Sequence, residues 1–455
     1  MAAGRAGTDA YIAPGPTRSR VNRNDRSIVG LTMLAHGMVH TYELSIPIFI
    51  PIWLVQFDVV SLGPVEVAVT SATLGLLVTV GYGLFGLGAL PGGVLVDRVG
   101  SRRLITACLV GMAASFLLLG VAPGLIAVTL AMVVWGVSAS VYHPAGLALL
   151  SKGVEERGTG FAYHGIAGNL GIGLGPLLTA VLLLFVDWRT VAAVLAVPAL
   201  LAAAYAARAS FDETAAVTAA DGGDGADSKA SSGIDSFSEF VSESRVLFAG
   251  SFALVFLVVM MSGLYYRGVL TFMPELLAGF PGFEPIALAS LLPAGLADAL
   301  GVSASGGRTL SPANYVYSGL LMIGVLGQYA GGKLTDRIPV ERGIALSFGL
   351  LAVLALLFLP VANLGFVPFL AFGAVLGVAL FVVQPFYQAT VAEYTPAGTR
   401  GLSYGYTYLG VFGVGALGGA VAGAILTFAT AGTLFVVLAA FALVAAATGV
   451  VLARR

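Results

Sequence analysis

The sequence predicts an all-α membrane protein, with twelve transmembrane helices in two pseudo-symmetric six-helix bundles. Three observations carry that expectation. Of 455 residues, 58% are hydrophobic and only 10% charged, with a mean hydropathy of +0.96. The apolar residues gather in runs of about the 20 residues that a helix needs to cross a bilayer. Such runs must be helical, because lipid offers unpaired backbone groups no partner. Finally, a charged phrase occurs twice. Gly93-Val-Leu-Val-Asp97-Arg98-Val-Gly-Ser-Arg102-Arg103 returns as Gly332-Lys-Leu-Thr-Asp336-Arg337-Ile-Pro-Val-Glu341-Arg342, with Asp97 and Asp336 239 positions apart. A phrase repeated at that distance marks two homologous halves.

The spans expected in order are 28–56, 67–94, 103–122, 125–149, 160–186 and 189–209 in the first half. The second half supplies 246–277, 312–334, 343–361, 365–390, 401–428 and 431–452. Residues 1–27 form a polar tail with five arginines and no apolar core of a cleaved signal. Residues 28–209 and 246–455 are the two bundles. The acidic, Ser-rich stretch 210–245 between them reads as a flexible linker. Further landmarks repeat at nearly the same offset: His143-Pro144 against Gln384-Pro385, and Arg157-Gly158 against Arg400-Gly401.

Charge sets the orientation. With both termini in the cytoplasm, 19 of the 22 Lys and Arg lie on that side, the exceptions being Arg189, Arg267 and Arg308. That asymmetry satisfies the positive-inside rule and predicts a multi-pass protein of the plasma membrane. The net charge of −1 argues against a nucleic-acid partner. The lone Cys108 excludes a disulfide within the chain. No Walker phrase, filter-like loop, HExxH or Ser-Lys constellation occurs, so an ATP motor, a channel and an intramembrane enzyme are disfavoured. No cofactor and no metal site are expected, and the chain is taken as a monomer.

Ionisable groups inside spans mark candidate sites, because burying charge in lipid is expensive. All four histidines fall within spans. His36, His40 and Glu43 share one face of span one at i, i+4 and i+7. A rise of about 1.5 Å per residue puts them near mid-membrane. Imidazole titrates in the physiological range, so these groups can link protons to substrate. His143 and His164 flank the 150–158 loop at similar depth, where they can touch; they suit gating or simple hydrogen bonding equally. Arg267 lies deep in span seven and cannot discharge. Aligning Pro51 with Pro274 brings Glu43 to its level, so the two are expected to face one cavity across the halves. Gln384, Gln388 and Tyr387 in span ten, with Tyr404, Tyr406 and Tyr408 in span eleven, offer polar handles for an amphipathic ligand. Asn169 is a further candidate to line the same cavity, whereas glycines 165, 168, 171, 173 and 175 indicate close helix packing.

Twelve spans in two halves, a long central linker and the duplicated G-x-x-x-D-R-x-G-x-R phrase resemble the major facilitator superfamily across residues 28–452. Within it, Tyr142-His143-Pro144-Ala-Gly, Arg157-Gly and Gly168-Asn169-Leu-Gly171-Ile-Gly-Leu-Gly175-Pro176 look like the fosmidomycin-resistance branch of drug exporters. His36-Gly-Met-Val-His40-Thr-Tyr42 is similar to that branch's span-one pattern, with His40 where an acid is expected. The basic residue often found in span four of proton antiporters is absent around Trp135-Gly136.

The resemblance implies halves that rock about a midplane site. It also implies a cytoplasmic latch built from Gly93, Asp97, Arg98 and Arg102, and from Gly332, Asp336, Arg337 and Arg342. Each aspartate is expected to pair with arginine and to accept from a neighbouring helix N-terminus. Pro339 replaces the glycine of the first copy, Gly100, so the second latch should be the weaker. The resulting expectation is a small-molecule secondary transporter, exporting an amphipathic or anionic compound against proton influx. A solute importer on the same scaffold is the runner-up.

Overall fold

The computed structural model describes residues 22–217, 237–293, 295, 308–396 and 399–455. Helix α1 (Arg23–Gln56) starts where the Asn22 side chain accepts from the Asp25 N–H. It runs through Pro47 and Pro51 to the first loop. That loop is an antiparallel hairpin, β1 (Val59–Leu62) and β2 (Val65–Ala68), turning at Gly63 with φ +66°. Valines at 59, 60, 65 and 67 suit a strand, so the second span does not begin at 67 as expected. It begins at Ser71, where Thr70 and Thr73 form a capping box. Helix α2 (Ser71–Leu87) then bends by 46° at Gly88 into α3 (Ala89–Val99). At Gly100 the chain adopts φ +89°, a conformation that glycine takes without strain, and α4 (Ser101–Gly120) follows.

The fourth span is also broken: α5 (Leu125–Ser140) gives way at Val141 to α6 (Tyr142–Gly153), with Pro144 in the first turn of the second piece. Then come α7 (Arg157–Leu182) and α8 (Trp188–Arg208), the latter capped by Asp187. Hydrogen bonds from the Thr190 hydroxyl and backbone N–H hold the Asp187 carboxyl below its ordinary range.

The second half opens with α9 (Phe237–Phe248), so the end of the expected linker is helical; residues 218–236 lie outside the described residues. The span expected over 246–277 is interrupted at 249–251 and continues as α10 (Phe252–Leu270) and α11 (Met273–Ala278). A short ladder joins β3 (Ile286–Ala287) to β4 (Thr309–Leu310). Helices α12 (Pro312–Thr335), α13 (Val340–Ala362) and α14 (Phe366–Tyr394) are continuous. Span eleven is composite: α15 (Arg400–Tyr408), a π-helical turn over Leu409–Val414, and α16 (Leu417–Phe428). Helix α17 (Ala431–Leu452) ends the fold.

Among the described residues ten helices are long and apolar enough to cross a membrane, and the bent α2–α3 pair makes an eleventh. The twelfth, α12, is 24 residues long. Asn314, Tyr315, Tyr317 and Gln328 lower its hydropathy because this helix packs on the other half. The packing repeats between halves. Spans one and five, two and four, and three and six touch in the first half; seven and eleven, eight and ten, and nine and twelve touch in the second. The halves meet through α2 against α16 and α7 against α12, which are equivalent pairs under the repeat. Outward-facing Leu117, Leu201, Leu346, Val353 and Val367 supply the apolar surface that lipid requires.

Close approach of α7 to α1 is made by glycine. A Cβ at Gly171 would lie 2.2 Å from the Gly37 carbonyl oxygen, and one at Gly175 would lie 2.6 Å from the Thr41 Cα. Gly173 instead faces Met322 of the second half, and Gly165 faces open space.

Candidate functional site

Four helices deliver the buried ionisable groups. Helix α1 carries His36, His40 and Glu43, α10 carries Arg267, and α6 with α7 bring His143 and His164. Glu43 and Arg267 are 1% and 2% exposed, so neither is hydrated from the lipid face. Arg267 Nη2 donates to Glu43 Oε1, an ion pair that joins the two halves. The other carboxylate oxygen, Oε2, lies 2.5 Å from His40 Nδ1. The Arg267 guanidinium rests 3.8 Å from the Tyr82 ring centroid, where the ring quadrupole favours a cation. The Tyr82 hydroxyl donates to the Glu43 carbonyl at 2.6 Å, and the Tyr317 hydroxyl to the Leu44 carbonyl at 3.3 Å. Both halves thus hold the backbone of α1 at the level of the pair.

The histidines form one cluster. His36 Nε2 lies 3.1 Å from His40 Nε2, and His36 Nδ1 lies 2.7 Å from the His164 carbonyl oxygen. The His36 and His164 rings stack at 3.8 Å, and His143 meets His36 and His40 at 5.4 and 5.7 Å. His143 and His164, whose similar depth made mutual contact possible, gather around His36. Gly168 makes this possible, since a Cβ there would stand 2.4 Å from His36 Cε1. Among the described residues, His164 Nε2 and Arg267 Nε are buried without a hydrogen-bond partner. Donor atoms of His36, His40 and His143 lie within 4.8 Å of one another, close enough to converge on a cation. The sequence reading named no such triplet, because His143 joins it only through the break in span four.

A cavity of about 40 Å³ adjoins the ion pair. His40, Glu43, Ser262, Tyr266, Gln384 and Phe412 are in its wall. It has room for a few waters, whereas a drug-sized ligand needs about 300 Å³ or more. A ligand of that size would fit here only with the halves moved apart. Gln384 receives a hydrogen bond from Gln328 Nε2 at 3.0 Å, while Gln388 is exposed and Asn169, half-buried, lies outside the cavity wall. Tyr387 lines the cavity, Tyr408 packs 4.7 Å from His143, the Tyr406 hydroxyl donates to Ser244, and Tyr404 is exposed.

The expected latch differs in its partners. Asp97 meets Lys152 Nζ at 3.0 Å, not an arginine, and both side chains are half exposed. The α4 N-terminus is capped from the linker: Glu213 accepts from the N–H groups of Ser101 and Arg102 at 2.8 and 3.2 Å, and Arg102 Nη1 donates to the Ala209 carbonyl. Asp97 sits in the last turn of α3, before the Gly100 turn, so the linker acid takes the cap that Asp97 was expected to fill. Asp25 does the same for α7, accepting from the N–H groups of Glu155 and Glu156. Gly93, Arg98, Asp336, Arg337 and Arg342 enter no ion pair among the described residues, and Gly332 faces open space. In the second copy Glu341 is the engaged acid, accepting from the Tyr394 hydroxyl. Tyr82, Asp25 and Glu213 escaped the sequence reading. Tyr82 could have been flagged as a mid-span phenol; the two acids carry no local signal.

This fold and the buried charges between its halves define a class. Residues 28–306 match the description Major Facilitator Superfamily. The chain belongs to that superfamily, and it is a multi-pass membrane transporter rather than an enzyme. A nucleoside transporter, NupG, solved as a point mutant, is similar with a TM-score of 0.69 and 12% identity, covering 94% of this chain and 99% of that one. The peptide transporter POT in complex with sulfate gives 0.66 and 15%, covering 94% of each chain. In sequence, the puromycin resistance protein pur8 of Streptomyces alboniger is 34% identical over 108 residues. That match spans 23% of this chain and 22% of the relative.

Proposed function

We propose that this transporter exports a small amphipathic or anionic compound against proton influx, by alternating access with both termini in the cytoplasm. The Glu43–Arg267 pair carries the reading. One partner comes from each half, so rocking must strain or break it. Neutralising Glu43 removes the attraction, which lets proton binding bias which side is open. His40 and Gln384 then offer polar contacts among the aromatic rings of the widened cavity. The partial likeness to a puromycin resistance protein supports export. Likeness to the nucleoside and peptide transporters concerns the fold, and leaves import on the same scaffold as the runner-up.

Puromycin is a usable probe. Cells expressing the protein should accumulate less labelled puromycin than controls, and an uncoupler should abolish the difference. Greater accumulation would reverse the direction; no change with this and other amphipathic dyes would remove the drug-export reading. In proteoliposomes, Glu43→Gln should make residual flux indifferent to an imposed pH gradient. The swap Glu43→Arg with Arg267→Glu should regain transport lost by either single reversal. Normal expression without rescue would sink the pair's proposed role.

A further inference from the structure

We infer that His36 and His40 hold one excess proton between their facing Nε2 atoms, with His40 as the imidazolium. The inference deepens the proposed coupling role of this site and rests on hydrogen-bond accounting. A backbone carbonyl only accepts, so His36 Nδ1, 2.7 Å from the His164 oxygen, carries a hydrogen. Glu43 is paired to Arg267 through its other oxygen, so it is an ionised acceptor, and His40 Nδ1 also carries a hydrogen. Each neutral ring then has only a lone pair left on Nε2. Those two nitrogens are 3.1 Å apart. Two facing lone pairs at that distance repel, whereas one added proton makes an N–H···N hydrogen bond of ordinary length.

The charge belongs on His40. Its Nδ1–H points at a carboxylate, whose negative charge attracts the added proton, while His36 has only a carbonyl. The groups facing His40 are His36 and Glu43 on its own helix, His143 on α6 and His164 on α7, while Arg267 on α10 and Tyr82 on α2 lie against Glu43. The nearby phenols, Tyr142, Tyr266 and Tyr408, stay neutral at physiological pH. Arg267, Glu43 and His40 together then carry one net positive charge beside the cavity. His40 is part of the cavity wall, so its proton can pass to water there, leaving a neutral imidazole.

A metal ion fits less well. Nitrogens about 2.0–2.1 Å from a tetrahedral zinc stand about 3.3–3.4 Å apart. His36 and His40 are already closer than that, and the third donor, on His143, lies within a spread of 4.8 Å. A proton needs no movement, whereas a metal needs His143 drawn inward.

The test is nitrogen NMR of the full chain, labelled at histidine, in lipid bilayers at about pH 7, where an unperturbed imidazole is mostly neutral. One of the four histidines should show both ring nitrogens protonated, and His40→Gln should remove that signal. Four neutral histidines in the unaltered protein, or an imidazolium that survives His40→Gln, would overturn the assignment. The wild-type spectrum decides even where the variant fails to fold. A spectrum that changes with a chelator, and in the same way with His143→Gln, would replace the proton by a metal. Flux indifferent to the pH gradient despite the imidazolium would remove coupling and leave the proton site standing. Gradient-driven flux with neutral His40 would do the reverse.

Discussion

At Glu43 the physical chemistry is that of a carboxylate buried between two halves, 1% exposed. Desolvating it is tolerable only because Arg267 and His40 contact its two oxygens. Glu43→Gln keeps the shape but leaves a buried guanidinium without its anion, a loss of about 3–5 kcal/mol in such settings. Thermal unfolding in detergent should therefore show a marked drop for that variant. The double replacement Glu43→Leu with Arg267→Met should recover much of it, because no uncompensated charge remains. A single variant as stable as the parent would mean that water reaches the pair. The approach of these residues was within reach of the sequence, since repeat alignment sets Arg267 level with Glu43. Tyr82 was not, because its cation–π contact exists only once α2 is laid against both halves.

At the scale of elements, composition located the apolar spans but not their interruptions. The bend at Gly88, the break at Val141 and the π turn over Leu409–Val414 arise from tertiary contacts. At Gly88 a Cβ would lie 2.3 Å from Ser140 Oγ, and Phe412 in the π turn packs 4.7 Å from Phe85 across the halves. π turns often sit at functional sites, and this one contributes Val411 and Phe412 to the cavity. The glycine run of span five was readable as a packing face, but not which glycine touches what. Gly171→Ala would drive a methyl against the Gly37 carbonyl and should destabilise by about 1–3 kcal/mol through overpacking. Gly165→Ala meets nothing and should be neutral or slightly stabilising, since alanine favours the helix. Equal thermal shifts for the two would contradict the α1–α7 contact described above.

Across the whole molecule, several hydrogen bonds tie the two halves together at one end. Ser71 to Glu275, the Ala72 N–H to Thr427, Thr79 to the Ala416 carbonyl and Tyr315 to the Ala180 carbonyl all lie toward the β1–β2 hairpin. On the terminal side of the Glu43–Arg267 level, Leu90 packs against Gly405 across the halves. The two Asp-Arg loops stand at the end opposite the hairpin. Asp97 and Lys152 are 56% and 49% exposed at their side chains, and an exposed pair is worth about 0–1 kcal/mol. Asp97→Asn should accordingly leave thermal stability almost unchanged. A rocking equilibrium is poised within a few kcal/mol, however, and about 1 kcal/mol shifts such a ratio roughly five-fold. We expect Asp97→Asn to slow transport several-fold, and Asp336→Asn, which removes no recorded ion pair, to slow it less. Rates measured in the same proteoliposomes decide the matter: equal losses would mean that the difference between Gly100 and Pro339 has no part in the cycle.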